Sequence, residues 1–190
     1  MATSRRAFLK SGAAAALIGA GSRRLALGAP ASSPVLQQFG YGEVELLAGP
    51  LRRQFETNHA FYAALGEDRL LKPFRQRAGL RAPGDDMGGW YSWAPLDALD
   101  RPGDNGFAPG HSFGQYLSGL ARDYAATGQP STREKVHRIV RGFGPAITED
   151  FWRDHRFPAY TYDKIAIGLL DAHTLTGAPE ALAVLDNRVR

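Results

Sequence analysis

The sequence predicts an all-α fold built from repeated helical hairpins, and three observations predict it. An offset of 49 residues aligns Pro109 with Pro158, Gly119 with Gly168, Leu120 with Leu169, Thr127 with Thr176, Gly128 with Gly177 and Pro130 with Pro179, six identities in 22 positions. Phe113, Tyr116, Leu120 and Tyr124 stand three or four residues apart, as do their equivalents Tyr162, Ile165, Leu169 and His173, which is the spacing of one helix face. Each segment then ends in Thr-Gly with a proline two residues on; glycine closes a helix in the left-handed conformation and proline suits the next start. The unit is helix, tight turn, helix. Hairpins repeated at this period predict a solenoid or a closed toroid of helix pairs, here incomplete and preceded by one short N-terminal strand.

The chain of 190 residues is 44% hydrophobic, enough for one globular domain. Its net charge of +4 comes from the first 31 residues, where Arg5, Arg6, Lys10, Arg23 and Arg24 meet no acid. The remainder holds 18 basic and 19 acidic residues, net −1, which removes the electrostatic case for nucleic acid. Residues 1–31 read as a twin-arginine signal peptide: Ser4 to Lys10 carries the paired Arg5 and Arg6 for the export machinery, and Gly12 to Ala20 is a short apolar run before small residues. That run is too short for a stable membrane span, which needs about 20 residues. A periplasmic or secreted location follows. The chain has no cysteine, so neither disulfides nor thiolate chemistry are expected within it.

After a linker over 32–41, the domain spans 42–190. Alternation over Gly42–Leu47 predicts the short strand. Gly49-Pro50 opens a helix with Leu51, Phe55, Tyr62 and Leu65 as its apolar line, and a second follows from Glu67 to about Ala78, burying Leu70, Leu71 and Phe74 before Gly79. Residues 81–110 lose regular pattern but keep Trp90, Tyr91, Trp93 and Phe107, the composition of a functional loop rather than a disordered one. The first repeat helix starts near Gly110. Its partner carries a capping box, Ser131 with Glu134, and stops at Gly144-Pro145. The outer helix of the second repeat starts at Pro179 and runs to Arg190 without a stop signal, the pattern expected of a truncated domain.

In a ring of hairpins the first turns of the inner helices face the central cavity. Candidate substrate-binding residues are therefore His111 and Gln115 on one turn, Tyr160, Asp163 and Lys164 on the corresponding turn, and Trp90 in the preceding loop, together suited to a carbohydrate. Each has a plainer alternative. Asp163 and Lys164 suit a solvated first turn, His111 a helix start, and Trp90 and Trp93 loop anchors. His59 and His173 fall at core or interface positions, and His137 and His155 at the surface. No set of residues has metal-ligand spacing, and Asp85, Asp86, Asp97, Asp100 and Asp104 offer no way to select a glycosidase carboxylate pair.

Val44 to Pro50, Asp68 to Phe74 with Ala78-Gly79-Leu80, Gly88-Gly89-Trp90, Gly110 to Ser118 and Tyr160 to Asp171 together resemble glycoside hydrolase family 127, the β-L-arabinofuranosidases. The resemblance covers residues 40–190 and implies an (α/α)6 toroid acting on non-reducing-end sugars with retention, through a zinc-held cysteine nucleophile and a glutamate acid/base. This chain departs from many relatives at Gln115 and Asp163, where they carry histidine, so the sugar stays open. The nucleophile, zinc ligands and glutamate are expected beyond Arg190, which makes the chain inactive alone, with no cofactor of its own and zinc only in a longer protein. A non-catalytic glycan- or partner-binding module and a toroid polysaccharide lyase are the competing functions.

Overall fold

The computed structural model of the chain describes residues 36–93, 106, 108–148, 151 and 157–186. The leader expected over 1–31, together with Asp97, Asp100, Asp104, Phe107, His155 and residues 187–190, lies outside the described residues. The chain divides into two units, Met1–Gln38 and Phe39–Arg190, and the described structure is essentially that of the second. It holds six α-helices among the described residues: α1 Pro50–Ala64, α2 Glu67–Arg77, α3 Pro109–Thr127, α4 Pro130–Phe143, α5 Pro158–Thr176 and α6 Glu180–Asp186.

The 49-residue repeat is a structural repeat. Both α3 and α5 have 19 residues, start with proline in the first turn, and end at a glycine in the left-handed conformation, Gly128 at φ 68° and Gly177 at φ 70°. They run side by side and parallel, because their contacts advance together: Gly110 meets Thr161 and Ile165, Gly114 meets Lys164 and Gly168, and Ser118 donates to Asp171 at 2.6 Å. The contact is closer than ordinary helix packing allows. A Cβ on Gly114 would overlap the backbone carbonyl of Lys164, and one on Gly168 would stand 2.6 Å from the Gly114 oxygen. Two backbones touch directly here, as only glycine permits.

α4 returns beneath this pair and closes the core with α2. Phe74, Phe113 and Phe143 form a ring cluster with centroids 4.5 to 5.1 Å apart, extended by Phe151 and by Tyr91 at 6.3 Å from Phe74. Such tilted and edge-on arrangements are the favoured aromatic geometries. Leu70, Leu71 and Phe74 of α2 are fully buried, as their spacing predicts. The buried Lys135 of α4 donates to the Leu65 carbonyl at 2.5 Å, tying the turn between α1 and α2 to this layer. Burial lowers its pKa from the ordinary lysine value.

Four sequence expectations are corrected. Gly42–Leu47 is not a strand. Tyr41–Glu43 is a 3-10 turn in which the Glu43 carboxylate accepts from the Gly40 N–H at 2.5 Å, and Val44, though extended, has no strand to pair with among the described residues. A lone extended segment gains nothing without an edge. The apolar line of α1 is not core, since no residue of α1 is buried and Leu51 and Tyr62 are exposed. Phe55 and Leu65 are half-buried, Leu65 against the core cluster. The capping box at Ser131 does not form; Gln129 is the cap residue and Pro130 takes the first position, where a missing N–H costs nothing. His137 is half-buried rather than a surface residue, its Nε2 donating to the Thr176 carbonyl at 3.0 Å, which fastens α4 to the end of α5.

The glycine contact makes a sharp stability prediction. Gly114→Ala should destabilise the fold by about 2–3 kcal/mol through overpacking, whereas Gly119→Ala, with nothing near its added Cβ, should be neutral or stabilising by up to about 1 kcal/mol. Denaturant midpoints of the two variants check this. Equal midpoints would mean that α3 and α5 do not approach as described.

Candidate functional site

The close approach of α3 and α5 sets their first turns against each other. His111 and Tyr160, equivalent positions of the repeat, come together: the Tyr160 Oη lies 3.2 Å from His111 Nε2 and the rings are 4.8 Å apart at 41°. Lys164, one turn along α5, lies 5.4 Å from the centre of the Tyr160 ring, a cation–π contact, and its ammonium pairs with Asp163 at 2.8 Å. The hydrogen bond to Asp163, with the charge of that carboxylate, raises the pKa of Lys164 above the ordinary lysine value. Neither helix start carries a side-chain cap. The first turns bring a phenol, an imidazole, an ammonium and a carboxylate side by side, with Tyr160 and Asp163 exposed and His111 and Lys164 half-buried.

The loop before α3 is positioned by specific bonds. Asp86 accepts from the Gly88 N–H at 2.7 Å and from Ser92 Oγ at 2.6 Å, and these bonds, Ser92 first, hold its carboxyl below the usual carboxylate range. Lys72 donates to the carbonyls of Ala82 and Gly84 at 2.9 and 2.8 Å. Tyr91 is buried and donates to the Leu70 carbonyl at 2.6 Å, so the anchor of the loop is Tyr91 rather than either tryptophan. Trp90 and Trp93 are both exposed, Trp90 by 59%. The Trp90 carbonyl accepts from the N–H of Ala108 at 3.1 Å, which brings the loop backbone to the start of α3, three residues before His111.

Of the six residues selected from sequence, His111, Tyr160, Asp163 and Lys164 form one cluster, and Trp90 sits on the loop joined to its edge. Gln115 is placed apart from them. Although one turn from His111, it lines a separate cleft between α1 and α3 that encloses about 580 Å3. Sequence reasoning missed that cleft and the pair within it, His59 Nδ1 to Asp123 Oδ2 at 2.8 Å, because the partners are 64 residues apart and neither belongs to a local motif. His173 approaches the Ala178 carbonyl at 3.4 Å at the end of α5 and takes no part in either place. Zinc, which the family resemblance implies, has no fitting donor set here: no three His, Asp or Glu side chains converge among the described residues. No step is assigned to it.

Parallel helices repeating at 49 residues, with polar side chains gathered at paired first turns, define a helical-hairpin protein. Residues 43–188 match the family described as Beta-L-arabinofuranosidase, GH127 catalytic domain. The chain belongs to that family. Its members are glycosidases, and the membership implies a carbohydrate substrate. No curated protein matches the sequence. Among the described residues no helix is long and apolar enough to cross a membrane.

The pairing of Lys164 with Asp163 can be read directly. Asp163→Asn should bring the titration of the Lys164 ammonium down toward that of an ordinary lysine, observed by NMR of the labelled side chain. An unchanged titration would show that Asp163 does not hold this ammonium in solution.

Proposed function

We propose that this chain is an exported, glycosidase-like protein in which the first turns of α3 and α5 bind a non-reducing terminal sugar of the β-L-arabinofuranoside type. The observation that carries the reading is the His111–Tyr160 contact, formed at equivalent positions of two repeats within a span that matches a glycosidase family. His111 and Tyr160 offer both donor and acceptor capacity to sugar hydroxyls, and Lys164 and Asp163 present a paired cation and carboxylate beside them. Trp90, exposed on its anchored loop, supplies a flat apolar face for the ring. Asp163 adjusts which hydroxyl pattern is accepted. The parallel α3 and α5 with α4 returning between them support the arrangement of an (α/α)6 toroid.

Binding to the purified chain tests this reading. Methyl β-L-arabinofuranoside should bind with a dissociation constant raised at least about fivefold by His111→Ala and by Tyr160→Phe, the loss of one net hydrogen bond each. Binding that both variants leave unchanged would place the sugar elsewhere. Export is tested separately: replacing Arg5 and Arg6 with lysine should retain the protein inside the cell, and undiminished export of that variant would exclude the twin-arginine route.

A further inference from the structure

The cleft between α1 and α3 lies apart from the His111–Tyr160 cluster and has the make-up of a binding site of its own. At about 580 Å3 it falls in the range of small-molecule pockets. Aromatic side chains form much of its wall: Tyr41 from the N-terminal turn, Phe55 and Tyr62 from α1, and Tyr116 from α3. Tyr116 donates its hydroxyl to the Tyr62 carbonyl at 2.8 Å and burial pushes its phenol pKa well up, so this wall stays neutral.

The charged groups of the wall are already engaged within the protein. Arg122 donates its Nε to Asp171 at 2.9 Å and lies over the Tyr41 ring at 5.6 Å. Asp123 accepts from His59 Nδ1 at 2.8 Å and stands 3.4 Å from the Thr132 hydroxyl. The carboxylate occupies Nδ1, which leaves Nε2 as the ring nitrogen not bonded to Asp123. What remains for a ligand is an imidazole nitrogen, the amides of Asn58 and Gln115, and aromatic faces. That combination suits a ring with hydroxyls on its edge and C–H groups on its face.

We propose that this cleft is a second binding site, taking one ring of a neutral sugar. The choice of a sugar over another neutral polyhydroxylated molecule rests on the carbohydrate reading above; the existence of the site rests on the cleft itself.

The test is an NMR titration of the full chain with methyl β-L-arabinofuranoside. Side-chain resonances of Phe55, His59 and Tyr116 should shift saturably, Asn58→Ala should weaken that response about fivefold with the melting temperature unchanged, and His111→Ala should leave it intact. Shifts confined to His111 and Tyr160 would overturn the second site while keeping the proposed function. Shifts confined to the cleft would support the second site and overturn the first. No saturable shift at either place, in protein shown to be folded, would overturn both.

Discussion

The meeting of His111 with Tyr160 depends on how closely α3 and α5 approach. A backbone carbonyl of one helix sits where a side chain would have to be on the other, at Gly114 against Lys164 and at Gly168 against Gly114. The spacing sets the register. Once the helices touch at these glycines, Ser118 and Arg122 both reach Asp171, and two turns earlier His111 reaches Tyr160. A wider separation would lengthen all of these contacts together.

The hydrophobic core serves this contact from below. Phe74, Phe113 and Phe143 come from three different helices, and through Tyr91 the same cluster holds the loop that carries Trp90. Burial and exposure are thereby divided between neighbouring residues: Tyr91 is buried, and Trp90 and Trp93 face outward. The same division occurs within the repeat. Phe113 is fully buried in the aromatic cluster, while its equivalent Tyr162 lies at the surface. Identical backbone roles are filled by side chains of opposite exposure.

The repeat, its offset and both glycine stops were legible because they are local: the spacing of prolines, glycines and apolar residues is written along a single helix. The cluster of His111, Tyr160, Asp163 and Lys164 was legible for the same reason, since repeat equivalence places residues without knowledge of packing. What was not legible depends on partners distant in sequence. Gly42–Leu47 alternates like a strand, yet no strand lies beside it among the described residues, and a local bond from Gly40 to Glu43 sets the turn instead. Leu51 and Tyr62 have helical spacing but stay exposed, and α1 meets α3 through His59 with Asp123 and Tyr62 with Tyr116. His137 looked like a surface residue until the end of α5 supplied its carbonyl partner.

The measurement that tests this account most directly is a set of ring-proton NOEs between His111 and Tyr160 in the folded chain. Rings 4.8 Å apart should give strong cross-peaks, and the same peaks should weaken in a variant that pushes α3 from α5 at Gly114. Absence of those NOEs in protein that is otherwise folded would contradict the account, since the two helix starts would then not meet and no shared site could form there.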